Sequence, residues 1–217
     1  VTPDGTRVYV TNLGSDSVSV IDTASNTVIS TVAVGGGPNG IAVNPAGTRA
    51  YAANSALPST VSVIDTASNA VVATVAVGSR PNGVAINPDG TRAYVANEIS
   101  NTVSVINTAT NTVIATVAVG DSPKGISLNP SGTRAYVANY SDRNVSVIDT
   151  ATNSVIATVL VGGYPSVFGA FVGGAGAPGG PTAPGAPVVI DGVPGNSQAT
   201  LRFSAPASSG GAAITSY

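Results

Sequence analysis

The feature that most constrains this chain is a segment that occurs four times. It reads Asn87-Pro88-Asp89-Gly90-Thr91-Arg92-Ala93-Tyr94-Val95-Ala96-Asn97, and it recurs from Asn44 to Asn54 and from Asn129 to Asn139. A shorter copy runs from Pro3 to Asn12. The repeated proline stands at positions 3, 45, 88 and 130, so the period is 42, 43 and 42 residues. A fixed period of this size means one supersecondary unit stacked on copies of itself.

Each unit holds four short runs of alternating or β-branched apolar character, which predicts four strands, A to D. In the second unit they are 40–44, 49–54, 60–65 and 70–77; in the third, 83–87, 92–97, 102–107 and 112–119. In the fourth they are 125–129, 134–139, 144–149 and 154–161. The A–B link, Asn-Pro-x-Gly-Thr, is a hairpin turn in which Pro presets φ and Gly supplies a positive φ. The C–D link, Asp65-Thr66-Ala67-Ser68-Asn69 and its copies, carries Asp or Asn able to bond its own backbone. Each unit is therefore an antiparallel meander, and four strands per repeat of this length describe the blade of a β-propeller.

Composition agrees. Val, Ala, Thr, Ser, Asn and Gly dominate, and only 8% of residues are charged, which suits strands and tight turns. A net charge of −2 without a Lys/Arg cluster gives no ground for a nucleic-acid partner. No apolar run reaches the ~18 residues of a spanning helix. The absence of His and Cys excludes an imidazole-based triad or metal site, and a thiolate site, from this stretch. Neither a cofactor nor a metal is expected. The C–D turn offers one carboxylate, where Ca²⁺ takes six to eight oxygens. Gly35-Gly36-Gly37-Pro38 lacks the Lys-Ser/Thr of a phosphate loop.

Tyr9-Val10-Thr11-Asn12, and Tyr-Val-Ala-Asn at 94–97 and 136–139, resemble the YVTN family of β-propeller repeats. So do the flanking Pro-Asp-Gly-Thr-Arg and Val-Ser-Val-Ile-Asp-Thr-Ala motifs. The resemblance covers about residues 1–172 and implies a seven-bladed propeller in a secreted or surface protein. Residues 40–161 supply three complete blades and residues 7–34 the B, C and D strands of another. Val1-Thr2-Pro3 aligns with Val43-Asn44-Pro45, so the chain is expected to open inside an A strand, and Tyr164 to Val172 to form a further A strand. Together with the lack of Met, this suggests about four blades of a longer, seven-bladed parent; closure of four blades alone is the other arrangement. Residues 173–185 read as a Gly/Pro linker. Residues 186–217 resemble the opening of a bacterial fibronectin type III domain, a truncated β-sandwich with Phe203 in its core and Tyr217 at the start of its third strand.

Four recurring tyrosines, Tyr9, Tyr51, Tyr94 and Tyr136, are expected to pack between blades. Arg7, Arg49, Arg92 and Arg134 are expected to pair across strands B and C with Asp22, Asp65 and Asp149, Asn107 breaking the series. In an A-B-C-D meander the D–A and B–C loops share one rim. That rim varies between copies, while the A–B and C–D turns scarcely change. The candidate binding residues on it are Arg80, Asp121, Lys124, Tyr140, Asp142, Arg143 and Tyr164, with Asp16 and Glu98 among its other charges. No catalytic residue is assigned. The expected function is a non-catalytic, secreted or cell-surface module that binds or scaffolds protein or carbohydrate. The alternative is a fragment of a propeller enzyme, lactonase-like or quinone-dependent dehydrogenase-like, whose catalytic residues lie in other blades.

Overall fold

The computed structural model describes residues 1–166, 188–195 and 198–204. The chain divides into two units, Val1–Gly173 and Gly174–Tyr217. In the first unit, β1 (Arg7–Asn12), β2 (Ser17–Asp22) and β3 (Thr27–Ala33) make a three-stranded sheet. Three four-stranded sheets follow. They are β4 (Pro38–Val43), β5 (Arg49–Asn54), β6 (Thr60–Asp65) and β7 (Ala70–Ala76); β8 (Pro81–Ile86), β9 (Arg92–Asn97), β10 (Thr102–Asn107) and β11 (Thr112–Ala118); and β12 (Pro123–Leu128), β13 (Arg134–Asn139), β14 (Asn144–Asp149) and β15 (Ser154–Leu160). Every neighbouring pair is antiparallel and follows chain order, so the four sheets are propeller blades. The described residues contain no helix. In the second unit, β16 (Val188–Gly195) and β17 (Gln198–Ser204) form an antiparallel pair. The linker, the further A strand beyond Ser166 and the remaining sandwich positions lie outside the described residues.

The B and C strands begin and end where the sequence places them. The A strands start two residues earlier than expected, at Pro38, Pro81 and Pro123. Proline can open a strand because that position need not donate to the ladder. The A–B register then shifts across the following Asn-Gly, or across Lys124 alone in the fourth blade. The D strands stop one residue short of the expected valine, and each carries a bulge opposite the C strand.

The hairpin turns follow their chemistry. Gly47, Gly90 and Gly132 have φ near +70°, and each amide donates to the carbonyl of the asparagine before the proline, at 2.8–2.9 Å. The Asn44, Asn87 and Asn129 side-chain oxygens accept the Arg49, Arg92 and Arg134 amides in turn. In the first blade Thr2 takes this place, its Oγ1 accepting the Arg7 amide at 3.0 Å. In the C–D turns, Asp22, Asp65 and Asp149 accept backbone amides two or three residues on, as does Asn107. Those hydrogen bonds, from Ser68 to Asp65 and from Thr152 to Asp149 foremost, hold the carboxyls below their ordinary pKa. In each of these aspartates Oδ1 is the oxygen that accepts the turn amides.

Packing occurs between blades. Tyr9, Val18, Val20 and Val32 of the first sheet meet Ala50, Ala52 and Ile64 of the second. The second and third sheets repeat this with Tyr51, Val61 and Val63 against Ala93, Val95 and Ile106, and the third and fourth with Tyr94, Val103 and Val105 against Ala135, Val137 and Ile148. The recurring tyrosines are therefore core, as expected; only Tyr136 of the last sheet is partly exposed. The innermost strands touch backbone to backbone. A Cβ on Gly83 would stand 2.7 Å from the Lys124 carbonyl oxygen, and one on Gly40 would collide with the Asn82 carbonyl.

Two of the three expected Arg–Asp pairs are present. Arg49 pairs with Asp65, and Arg134 Nη1 lies 2.5 Å from Asp149 Oδ2. Arg92 faces Asn107, which offers no charge, and its Nη1 instead donates to the Thr150 carbonyl of the next blade at 2.6 Å. Arg7 likewise turns from Asp22 to the Thr66 carbonyl at 2.5 Å. An in-blade pair and an inter-blade bond thus alternate around the array.

Candidate functional site

The third and fourth blades gather five of the seven candidate residues into one chain of contacts on the variable rim. Two turns create it. Arg80 sits in the loop before β8 with φ +55°, and Arg143 in the loop before β14 with φ +53°. The loop before β12 is laced to the loop after β13: Tyr140 N donates to the Ser122 carbonyl at 3.0 Å and Ser141 N to the Asp121 carbonyl at 3.2 Å. Asp142 Oδ2 accepts the Asp121 amide at 2.8 Å. Asp142 thus shapes the loops through its carboxylate and Asp121 through its backbone, and the other five side chains form the chain of contacts.

At the centre is Glu98, at the end of β9, whose side chain is 13% exposed. Arg80 Nε lies 3.5 Å from its Oε2 and Lys124 Nζ 3.8 Å from its Oε1. Asn82 Nδ2 donates to Oε2 at 3.2 Å. Both cations stand at ion-pair distance without a short hydrogen bond to the carboxylate. Lys124 Nζ also lies 3.8 Å from the centre of the Tyr140 ring. The Tyr140 and Tyr164 rings follow at 5.0 Å, tilted by 31°. Arg143 covers the Tyr164 ring at 4.6 Å, and its Nη2 donates to the Tyr164 hydroxyl at 2.7 Å. Among the described residues Arg143 has no carboxylate partner.

Asn82 and Lys124 are second residues of the innermost strands β8 and β12. The cluster therefore stands where the inner strands reach the rim. It presents two cations on one largely buried carboxylate, with a pair of tyrosines beside them and a third cation, Arg143, on the far ring. Such a surface suits an oxygen-rich or anionic small molecule: carboxylate or carbonyl oxygens toward Lys124 and Arg80, hydroxyls toward Glu98 and Asn82. Among the described residues no group of three or more acidic side chains could hold a metal ion, and no helix is long and apolar enough to cross a membrane. The repeat pattern marks Glu98 only as one of the rim's charges and passes over Asn82. A signal for Glu98 was available: it is the chain's only glutamate, and it sits on the variable rim.

Comparison with known proteins bears on the chemistry. The sequence matches the family model "Lactonase, 7-bladed beta-propeller" over residues 1–154. The hydrazine synthase of Kuenenia stuttgartiensis superposes with a TM-score of 0.70 at 28% identity, over 74% of this chain and 47% of that one. A functionally unknown protein from Desulfotomaculum acetoxidans superposes with a TM-score of 0.69 at 19% identity, over 76% of this chain and 56% of that one, and shows the fold alone. The PE-PGRS family protein PE_PGRS18 of Mycobacterium tuberculosis is 53% identical over 45 residues, 21% of this chain and 10% of its own length. The chain thus spans about half the length of the solved structures and a tenth of that relative. The expectation of a non-catalytic module is overturned here: a lactonase family match and an enzyme as structural neighbour put these blades in an enzyme-related propeller family. The lack of His and Cys in the chain, on which that expectation leaned, describes these blades and not the family's chemistry.

Proposed function

The chain belongs to the seven-bladed β-propeller lactonase family, and from that premise we propose that its four blades are the substrate-binding part of a propeller hydrolase acting on lactones. Opening a lactone adds water to a carbonyl and leaves a hydroxy acid. Charge builds on the carbonyl oxygen in the transition state and persists on the product carboxylate, so cations held near that oxygen lower the barrier. Lys124 and Arg80 are the cations offered here. Glu98 is their positioning residue, because it fixes both from one side and leaves their remaining N–H groups toward the rim. The groups that activate water lie in this proposal outside the four blades. The single observation that carries the reading is Glu98 held among Arg80, Asn82 and Lys124 at the end of the inner strands, in a chain of this family.

The finer parts of the proposal are a YVTN-type repeat, a fibronectin-type segment at 186–217 and a secreted or surface location. They rest on the motifs and on the Gly/Pro-rich composition of residues 173–185.

Calorimetric titration of the full chain with hydroxy acids and their lactones tests the core of it. Binding is expected, with Lys124→Ala weakening it about tenfold, the loss of one charge-assisted hydrogen bond of ~1.5 kcal/mol. Equal affinity of Lys124→Ala and wild type, or no binding of either ligand class, would sink it.

A further inference from the structure

The chain has one lysine and one glutamate, and the fold brings them together: Lys124 Nζ stands 3.8 Å from Glu98 Oε1. Glu98 comes from the rim of the third blade and Lys124 from the innermost strand of the fourth. At that distance the carboxylate attracts the ammonium without a short hydrogen bond to fix it. The other side of Lys124 is an aromatic stack. Its Nζ lies 3.8 Å from the Tyr140 ring centre, the Tyr164 ring follows at 5.0 Å, and Arg143 covers Tyr164 at 4.6 Å while donating to its hydroxyl at 2.7 Å. Exposure reflects the difference. The Lys124 side chain is 24% exposed, against 55% for Arg80, which meets the same carboxylate with no such ring among the described residues. Ring and ammonium also share one frame. The Tyr140 amide donates to the Ser122 carbonyl at 3.0 Å and Ser141 Oγ to Ser122 Oγ at 2.9 Å, which ties the loop carrying Tyr140 to the loop that leads into Lys124.

We propose that Tyr140, backed by Tyr164 and Arg143, is the positioning residue for Lys124. The negative face of the ring attracts the ammonium and competes with Glu98 for it. Without the ring, the flexible four-carbon stem would let the ammonium close onto Glu98 and spend its N–H groups there. With the ring, those N–H groups stay available to a ligand oxygen. The role belongs to the ring and not to its hydroxyl. For the ligand it serves, this role rests on the lactone reading; the contact itself does not.

Two measurements test the proposal on the full chain. Because Lys124 is the only lysine, reductive methylation with isotope-labelled formaldehyde, which keeps the charge, gives one side-chain NMR signal beside that of the N-terminus. Its methyl protons are expected upfield, under the Tyr140 ring, in wild type and Tyr140→Phe, and at the free-lysine position in Tyr140→Leu. An unshifted wild-type signal, or a shift that survives Tyr140→Leu, overturns the contact. Calorimetric titration with hydroxy acids and lactones then tests the role. Tyr140→Leu is expected to weaken binding about threefold, and Tyr140→Phe to leave it unchanged. In a Lys124→Ala background Tyr140→Leu should change nothing further, because the ring acts through the ammonium. Equal weakening in both backgrounds means that Tyr140 touches the ligand itself or only shapes the loop, and overturns the role. A wild type that binds neither ligand class sinks the lactone reading and this role together, whereas binding that ignores Tyr140→Leu sinks this role alone.

Discussion

Asp65 and Asp149 show how much a single turn residue carries in this chain. Each accepts two backbone amides and a side-chain hydroxyl within its own turn, and each also faces an arginine. Their native pKa values are lowered, the local amide bonds being the first cause. A carboxyl whose native pKa lies below its unfolded value stabilises the fold above the unfolded pKa, about 4, and loses that contribution as pH falls through the native value. The third blade supplies the natural control, because Asn107 accepts the same two amides with an oxygen that does not titrate. The double variant Asp65→Asn, Asp149→Asn should therefore stay close to wild type at neutral pH, because exposed ion pairs contribute little. Below about pH 4 its urea midpoint should fall less steeply than that of wild type. Parallel acid limbs would show that these carboxylates are not the groups that titrate. The turn chemistry was legible from Asp-x-x-x-Asn alone. The buried asparagines were not: Asn54, Asn97 and Asn139 are fully enclosed, and Asn97 and Asn139 donate to Ser104 and Ser146 at 2.8–2.9 Å. Repetition marks a position as required, but it does not separate a polar core from a polar turn.

At the scale of the element, the outermost strand of each blade solves an aggregation problem. Its free edge could template another strand. In every blade the C–D pairing skips one residue: Ile29, Val72, Ile114 and Ile156. These four are also among the exposed large apolar side chains, Ile114 at 47%. A bulge bends and twists the edge, so a second chain cannot pair along its length. Deleting Ile114 should restore a regular edge and produce β-rich aggregates on incubation, read by light scattering. Ile114→Thr, which keeps the bulge, should remain soluble and within about 0.5 kcal/mol of wild type. If both behave alike, the bulge is not protective. The alternation of apolar residues placed these strands to within a residue or two, but Thr-Val-Ile-Ala-Thr-Val reads as unbroken strand, and so the bulge was invisible. The early A-strand starts have a related origin, since a proline reads as a boundary and here serves as a first strand residue.

For the whole molecule, the interface between blades is the unit of stability, and position along the array decides what a side chain is worth. The repeat made this architecture readable from the period alone. The candidate site was legible only as a rim, because the contacts among Arg80, Glu98, Lys124 and Tyr140 arise between loops well apart in the chain, in the non-repeating part of the unit. Each blade is held by its neighbours, so a covered and an uncovered face differ in kind. Val10 and Val95 occupy the same place in strand B of the first and third blades. Val95 is fully buried against the second blade, whereas Val10 faces no preceding sheet within the chain and is 40% exposed. Val95→Ala removes apolar volume from a packed junction and leaves a cavity, at a cost of about 2 kcal/mol. Val10→Ala in this chain should cost less than about 0.5 kcal/mol, as at an ordinary surface position. Urea unfolding of the two variants at low protein concentration measures the difference. Equal losses would mean that stability is spread within each sheet rather than concentrated between sheets, and the interface would no longer be the unit by which this fold is held.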